Sequence, residues 1–364
     1  MKKILIDAVM IGNLGDDLFV KILADRYEKT FFSVLIPKEY SAFLSECKNV
    51  KSINYDFSKR FTERVSRKLL KRRIIFNVIQ KKHDATVLIS GSAFMQQNDF
   101  FRQAAIYNND IENTKNYYML GINFGPFTDE RFVDLFDKTY SMCSDVCFRE
   151  NYSYQMFKHI ESVRYAPDIV FSLDMKEYIG NKINKSVGIS VIDLSNRENL
   201  KKYQEDYEKA IIKVIAGFIE SGYTVNLYSF CKVQGDEVCI ERLMNQIDIK
   251  YKDSVNAIYY NGNLQEIIQH LSKEEIIIAT RFHAMILGWK LRKKVFPITY
   301  SNKMVNVIKD LNFDGNYCDM SSVSSLSHKM IIDTSKKLER IEEIEKESGK
   351  QFQAVDFFIN EDIC

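Results

Sequence analysis

One segment in the second half of the chain combines residue types that could do chemistry. The run IIIATRFHAMILGW covers residues 276–289 and joins a predicted buried strand to a predicted helix, with Arg281 and His283 at the junction. Free backbone N–H groups and the helix dipole favour an anion at such a position. Arginine binds phosphate or carboxylate through two parallel hydrogen bonds, and histidine titrates near neutral pH, as a general acid should. The segment therefore predicts an anion pocket with a proton donor. The alternative is a capping histidine beside an arginine that is paired with a carboxylate.

Small residues follow two predicted strands in the first half. The loops GNLGDD and SGSAF contain glycines, which let a ligand approach the backbone closely. The first loop has neither the G-x-G-x-x-G spacing of a dinucleotide site nor the lysine of a P-loop. Its alternative is a tight strand-to-helix turn with Asp16 as the helix N-cap. We predict that these loops line a cleft or contact an acceptor through Gly12, Asn13, Gly15, Asp16, Gly91 and Ser92.

The elements that must position these residues alternate along the chain. Short apolar runs rich in β-branched residues are separated by segments with helical spacing, which is typical of α/β proteins with parallel sheets. The predicted strands are residues 4–9, 32–36, 86–90, 117–122, 145–148, 186–192, 224–228, 256–260, 275–279 and 294–298. Helices are predicted over residues 16–27 and 130–142. The polar segment 174–185 lacks a clear period and precedes a fresh strand, so it predicts a domain boundary.

Composition and charge exclude several classes of protein. The chain has 364 residues, of which 46% are hydrophobic and only 4 are proline, so disordered and collagen-like chains are excluded. A net charge of +2 is too small for a protein that binds nucleic acid through its overall field. Asp7 interrupts the apolar N-terminal stretch, and no run reaches the roughly 18 apolar residues of a membrane span, so we expect a cytoplasmic protein. Seven cysteines without a C-x-x-C pair indicate reduced structural thiols.

One segment departs from this even charge distribution. Residues 59–82 contain ten Lys or Arg and one Glu, and Phe61, Val65 and Leu69 recur at intervals of four. This pattern predicts a basic amphipathic helix. Two interpretations remain open: a solvated surface helix, or a helix that contacts an anionic membrane surface or a phosphorylated lipid carrier.

Several of these segments together resemble the polysaccharide pyruvyl transferase family. The resemblance covers about residues 4–310 and lies in GNLGDD, SGSAFMQ, GINFGPF, CFRENYS, APDIVFSL, VGISVI, TRFHAMILG and ITYSNK, in that order. The chain differs at SGSAF, where the family tends to have a run of glycines. The resemblance implies two Rossmann-like domains that face each other across a cleft, similar to type B glycosyltransferases. We therefore expect an N-terminal, acceptor-side domain over residues 1–178, a C-terminal, donor-side domain over 179–330, and a terminal helix and tail over 331–364.

The resemblance also implies a reaction. Pyruvate would pass from phosphoenolpyruvate to two hydroxyls of a sugar, as a cyclic ketal, in a surface polysaccharide or its lipid-linked precursor. We expect His283 to be the acid and Arg281 to hold the carboxylate or phosphate, with Arg149 and Lys303 as further anion contacts. No metal or other cofactor is expected, because Asp and Glu do not cluster in these loops apart from Asp16 and Asp17.

Two other functions remain open at this point. The first is a glycosyltransferase of the same architecture with a nucleotide-sugar donor, for which Asp236 and Glu237 could bind a ribose. The second is a catalytically silent scaffold for polysaccharide assembly, although the presence of both Arg281 and His283 argues against it. In each case we expect no nucleic-acid partner, and peripheral contact with the inner face of the membrane would depend on the basic segment.

Overall fold

The computed structural model describes residues 2–176, 178 and 183–360, which form two compact units. Unit 1 contains residues 2–10, 16–172 and 345–360, and unit 2 contains residues 11–15 and the described part of 173–344. Residues 177 and 179–182 of the predicted boundary segment 174–185 lie outside the described residues. The assignment of an acceptor side and a donor side to the two halves stays a prediction.

Unit 1 is built on a parallel sheet with the order β3-β2-β1-β4-β5-β6-β7. Its strands are β1 (Lys3–Asp7), β2 (Phe31–Ile36), β3 (Val50–Asn54), β4 (Ala85–Ile89), β5 (Tyr117–Ile122), β6 (Asp145–Phe148) and β7 (Val163–Tyr165). Its helices are α1 (Leu14–Arg26), α2 (Phe57–Leu69), α3 (Ile74–Gln80), α4 (Phe100–Glu112), α5 (Glu130–Ser141) and α6 (Asn151–Phe157). Strands β4, β5 and β6 are buried along their whole length, as expected of strands covered on both faces.

Unit 2 repeats the design with a parallel sheet in the order β10-β9-β8-β11-β12-β13. Its strands are β8 (Ser186–Ser190), β9 (Thr224–Ser229), β10 (Val255–Tyr259), β11 (Ile276–Ala279), β12 (Lys294–Thr299) and β13 (Cys318–Asp319). Its helices are α7 (Gln204–Glu220), α8 (Asp236–Gln246), α9 (Leu264–Lys273), α10 (Phe282–Lys290), α11 (Asn302–Asp310) and α12 (His328–Thr334). The α/β class and the Rossmann-like character of the two halves are confirmed.

The strand order determines where each unit can bind a ligand. In each sheet the second and third strands lie on one side of the first strand, and the fourth and later strands lie on its other side. The first and fourth strands of each unit are therefore neighbours. A doubly wound sheet opens a crevice at this switch point, beyond the carboxyl ends of the strands. The loops that matter are therefore those after β1 and β4 in unit 1, and after β8 and β11 in unit 2.

The predicted basic helix over residues 59–82 is wrong in its extent, because the structure has two helices, α2 and α3, with a break between them. Lys71 in the break has a φ of 53°. The Glu63 carboxylate accepts the backbone N–H groups of Ile75 and Phe76, so it caps α3 from within α2. Ser66 donates its hydroxyl to the backbone carbonyl of Arg72. These bonds favour two packed helices over one continuous helix.

One helix and tail were expected over residues 331–364, but the described part of this segment is divided between the two units. Residues 331–344 belong to unit 2, whereas residues 345–360 belong to unit 1 and include α14 (Gln353–Asn360). The preceding helix, α13, spans Ile341–Ser348. Gln351 is buried in unit 1, where its side chain accepts the N–H of Gly121 at 2.9 Å and donates to the carbonyl of Ala166 at 2.7 Å. A glutamine that satisfies buried backbone groups on β5 and after β7 attaches this segment to the sheet.

Candidate functional site

Arg281 lies at the start of α10, directly after β11, and its guanidinium is paired inside unit 2. Its Nε donates to Asp236 Oδ2 at 3.0 Å, and Nη2 donates to Asp236 Oδ1. Both side chains are buried, and the nearby carboxylate holds the pKa of Arg281 above its usual value despite the cost of burial. The arginine paired with a carboxylate, which the sequence left open as the alternative, is thus present. A ligand anion that reached Arg281 would therefore meet the Arg281–Asp236 ion pair and not an isolated guanidinium.

A second arginine faces the same amide as Arg281. Arg197, from the loop after β8, donates its Nη2 to Gln234 Oε1 at 2.9 Å, and Arg281 Nη1 donates to that same oxygen. The Nε of Arg197 donates to the backbone carbonyl of Asp193 at 3.3 Å. Within the part of the chain that the structure describes, Arg197 has no carboxylate partner, since the Asp193 carboxylate pairs with Arg242. Two guanidinium groups therefore share one neutral oxygen.

The pKa values of Arg197 and Tyr300 are both shifted by the cations around them. Burial and the neighbouring guanidinium of Arg281 lower the pKa of Arg197. Burial raises the pKa of Tyr300, but Lys303, Arg281 and Arg197 together outweigh it, so that the phenol is more acidic than usual. The Arg197 guanidinium lies 5.6 Å from the centre of the Tyr300 ring. We call Arg197, Gln234, Asp236, Arg281, Tyr300 and Lys303 the cation cluster.

His283 lies on the same helix start and is held between two groups. Its ring meets the Phe282 ring edge to face, with 5.2 Å between centroids, and Lys303 Nζ lies 5.4 Å from the centre of that Phe282 ring. On another side the imidazole lies so close to Gly15 that a Cβ at this position would overlap the ring. Phe282 thus connects the predicted acid to the cation cluster, and only glycine at residue 15 leaves room for the imidazole.

The loop that carries Gly15 is part of unit 2, although it follows β1 in the sequence. Asn13 forms a β-bridge with Cys231, and the N–H of Leu14 donates to the carbonyl of Phe230 at 3.0 Å. Asn13 also caps the start of α1, since its Oδ1 accepts the N–H of Gly15 at 3.0 Å. Gly12 has a φ of 69°, which allows the chain to turn from β1 into this loop. The structure therefore places Gly15 against His283, and Gly12 and Asn13 shape the loop that holds this glycine there.

The alternative assignment of Asp16 as the N-cap of α1 is wrong, because this helix begins at Leu14. Asp16 and Asp17 instead lie in the first turn of α1, where the helix dipole favours a negative charge. Asp16 belongs to unit 1, whereas residues 11–15 belong to unit 2.

Arg149 belongs to unit 1 and is almost wholly buried there. Its Nη1 donates to Asp168 at 2.9 Å, and its Nη2 donates to Asn123 Oδ1 at 2.9 Å. A Cβ at Gly91 would lie 2.5 Å from Nη2, so the loop after β4 needs a glycine at this position. Ser92, the next residue, is partly exposed. The structure thus brings Gly91 and Arg149 together at the carboxyl edge of the unit 1 sheet, with Asp168 to balance the arginine.

Asp236 and Glu237, considered as ribose ligands, have other partners. The Asp236 carboxylate is buried and accepts Arg281 together with the N–H groups of Phe230 and Cys231, both at 2.9 Å. Glu237 pairs with Lys232 at 3.1 Å. With four hydrogen bonds already made, Asp236 is placed to orient Arg281 and not to accept a ribose hydroxyl.

The sequence interpretation missed Arg197, Gln234 and Tyr300. Tyr300 lies in the segment ITYSNK, of which only Lys303 was singled out, Gln234 was not singled out, and Arg197 lies seven residues after the end of β8. One signal was available: in a doubly wound sheet the loops after the first and fourth strands meet, and Arg197 and Arg281 stand in those two loops of unit 2.

Three comparisons place the chain among known proteins. It is 25% identical over 292 residues to the amylovoran biosynthesis protein AmsJ of Erwinia amylovora, an alignment that covers 74% of this chain and 69% of AmsJ. The crystal structure of Anabaena HepE in complex with UDP and glucose has a TM-score of 0.57 at 13% identity, with 100% of this chain and 98% of HepE covered. The UDP-GlcNAc 2-epimerase of Neisseria meningitidis, bound to UDP-GlcNAc, has a TM-score of 0.59 at 11% identity, with 95% and 98% covered. These two structures show that the fold is shared.

The family follows from the sequence itself. The family model for polysaccharide pyruvyl transferase matches residues 13–302, which include Gly15, Arg149, the 281–283 segment and every residue of the cation cluster except Lys303. The chain therefore belongs to the polysaccharide pyruvyl transferase family and is a transferase.

Proposed function

We propose that this enzyme transfers pyruvate from phosphoenolpyruvate to two hydroxyls of a sugar and forms a cyclic ketal. The observation that carries the proposal is the cation cluster. It gathers Arg197, Arg281 and Lys303 around Tyr300, and Arg197 has no carboxylate partner among the described residues, so a bound anion would balance its charge. Phosphoenolpyruvate bears a carboxylate and a phosphate a few ångströms apart, and a cluster of cations on neighbouring loops matches that distribution of charge.

Five residues of the cluster have distinct places in this proposal. Asp236 fixes the guanidinium of Arg281, and Gln234 aligns Arg197 beside it. Arg197 supplies the charge that lacks a carboxylate partner among the described residues. The acidified hydroxyl of Tyr300 is suited to donate a hydrogen bond to a phosphate oxygen. No metal or cofactor is required, since the cationic side chains would neutralise the donor.

His283 would act as the general acid. It gives a proton to the methylene carbon of the enol, and the adjacent carbon, which bears the carboxylate and the phosphate ester, becomes electrophilic. One sugar hydroxyl adds to that carbon and loses its proton, and the C–O bond to phosphate breaks. The second hydroxyl then adds to the same carbon and loses its proton, which closes the ketal. Of the two protons that the hydroxyls lose, one restores His283 and the other leaves with the phosphate as HPO4²⁻, so atoms and charges balance.

The acceptor side is proposed from the family and from AmsJ, whose name refers to amylovoran biosynthesis. We expect a sugar of a surface polysaccharide or of its lipid-linked precursor, bound with help from the loop that carries Gly15 beside His283. A lipid-linked acceptor would be met in the cytoplasm at the inner face of the membrane.

The test is a reaction with phosphoenolpyruvate and candidate lipid-linked saccharides. Mass spectrometry should detect the added pyruvyl ketal, and phosphate release should match it mole for mole. The His283→Ala variant is the control for an active contaminant. Transfer from UDP-, GDP- or CMP-sugars with no response to phosphoenolpyruvate would replace the proposal with a nucleotide-sugar glycosyltransferase. Absence of both reactions, with a cation cluster that fails to bind phosphoenolpyruvate, would refute the donor assignment.

A further inference from the structure

Helix α2 of unit 1 presents an exposed apolar stripe. Phe57 is 76% exposed, Phe61 59%, Leu69 70% and Leu70 54%, and Val65 between them is exposed as well. Residues four apart lie on one side of a helix, so Phe57, Phe61, Val65 and Leu69 form a continuous row. The rings of Phe57 and Phe61 stack with 6.4 Å between centroids. Large aromatic and aliphatic side chains grouped in this way on an exposed helix mark an interaction site.

The same helix and the break after it expose a set of cations without counter-charges. Within the described part of the chain, Arg64, Arg67, Lys68, Lys71 and Arg72 are exposed and form no ion pair. Three other basic residues of this segment are neutralised: Lys59 by Asp56, Arg60 by Glu39, and Arg73 by Asp7 and Asp110. The unpaired charges are therefore concentrated beside the apolar stripe.

The acidic residue of the segment is removed from this surface. Glu63 is the one Asp or Glu in residues 57–72, and it is 2% exposed. Its carboxylate points inward, where it caps α3. Ser66, one turn later, is buried on the same side and binds the carbonyl of Arg72. Helix α2 thus has its attachment on one side, and its apolar and basic residues on the side that faces solvent.

We propose that this surface, formed by Phe57, Phe61, Val65, Leu69 and Leu70 with Arg64, Arg67, Lys68, Lys71 and Arg72, binds an anionic lipid bilayer. We call it the α2 surface. Its geometry is that of a helix lying in the plane of the interface: the aromatic and aliphatic side chains enter the boundary between headgroups and acyl chains, while the cations contact lipid phosphates. No helix among the described residues has the length and apolar character to cross a membrane, so this mode of contact is peripheral. Only the biological reason for such contact, access to a lipid-linked sugar, rests on the proposed function.

Vesicle flotation with the full chain tests the inference without donor or acceptor. The wild type should float with vesicles of phosphatidylcholine and phosphatidylglycerol in equal parts, at low salt, and should float weakly with phosphatidylcholine alone. The triple variant Arg64→Gln/Arg67→Gln/Lys68→Gln should lower the partition coefficient about 100-fold, because each cation near an anionic surface raises that coefficient about fivefold. The matched control, Lys201→Gln/Lys213→Gln/Lys329→Gln, removes the same charge from exposed positions of unit 2 and should float like the wild type.

A second pair of variants tests the apolar stripe. Phe57→Ser should weaken binding about tenfold. Phe357→Ser is its control, because Phe357 is 69% exposed on α14 and lies outside the α2 surface. A wild type that does not float, or a Phe57→Ser variant that floats like Phe357→Ser, would overturn the inference. So would retention on immobilised RNA in place of vesicle binding. Pyruvyl transfer to a soluble sugar should be unchanged in all these variants, so loss of transfer and loss of flotation can be told apart.

Discussion

Replacement of Arg197 by glutamine tests the donor site most directly. The guanidinium is partly buried, has no carboxylate partner among the described residues, and shares the Gln234 oxygen with Arg281. If it contacts the donor, Arg197→Gln removes one charge-assisted contact, worth about 1.5 to 3 kcal/mol. The dissociation constant for phosphoenolpyruvate should therefore rise about 10- to 100-fold.

Isothermal titration calorimetry at neutral pH measures this effect, with Lys201→Gln as the matched control. Lys201 lies four residues further along the chain, is exposed, and carries the same charge. Added salt separates the two effects, because screening weakens the field of an exposed charge much more than it weakens a direct contact at a partly buried group. The loss caused by Arg197→Gln should persist at high salt, whereas any effect of Lys201→Gln should fade.

Thermal unfolding supplies a second reading of the same variant. An arginine that serves the fold would destabilise it when removed. Burial and the neighbouring charge of Arg281 instead lower the pKa of Arg197, so removal of its charge relieves both a desolvation cost and a repulsion. We expect the midpoint of Arg197→Gln to equal or exceed that of the wild type. Unchanged affinity for phosphoenolpyruvate together with a lower midpoint would show that Arg197 serves the fold, and the donor site would have to be sought elsewhere.

Three further predictions use other parts of the molecule. Arg281→Ala should lower the free energy of unfolding by about 3 to 5 kcal/mol, because Asp236 is left buried and unpaired, and adding Asp236→Asn should restore part of it in chemical denaturation. Gly15→Ala should displace the His283 ring and lower turnover at saturating donor by more than about tenfold, but cost nothing more in a His283→Ala background. Burial raises the pKa of Asp110 to about 6 from its usual 3.8, so between these pH values the folded state holds a proton that the unfolded state has released. The free energy of unfolding should therefore fall, by at most about 3 kcal/mol, as the pH rises from 3.8 to about 6. Asp110→Asn should flatten that slope in urea denaturation at a series of pH values, and an unchanged slope would contradict the assignment.

The central strands could be predicted from the sequence, and the edge strands could not. Strands β5 and β6 were predicted to the residue, because full burial on both faces selects a continuous apolar run. Strand β3 was missed, since it lies at the edge of the sheet and its side chains are polar or partly exposed. Strands β7 and β13 have three and two residues, too few for any period to appear.

The basic segment shows a different limit. Its composition and the spacing of Phe61, Val65 and Leu69 predicted an amphipathic helix, and α2 is one. The period alone did not show that Glu63 would turn inward to cap a second helix, since capping across a break depends on tertiary packing. The inward turn of this residue is also what leaves the solvent-facing side of α2 without an acidic side chain.

At the candidate site, the sequence located residues better than it located their partners. Arg281 and His283 were identified from one strand-to-helix junction, and that junction is present. The partner of Arg281, Asp236, comes from the start of a different helix 45 residues earlier, a distance over which local patterns carry no information. The position of Gly15 beside His283 likewise depends on the loop of residues 11–15 belonging to unit 2.

The pairing of Arg281 changes which side chain is expected to carry donor affinity. The charge of Arg281 is already balanced by Asp236 in a buried ion pair, so a ligand anion gains little binding energy from this arginine. Removal of Arg281 mainly destabilises the fold, because it leaves the Asp236 carboxylate buried without a counter-charge. Arg197 is in the opposite position: it is held at a fixed place by Gln234 and the Asp193 carbonyl, and its charge is opposed by that of Arg281. A bound anion would remove this repulsion and would also stabilise the cations around Tyr300. The energy of binding should therefore come chiefly from Arg197, while Asp236 and Arg281 provide the rigid frame that keeps it in place.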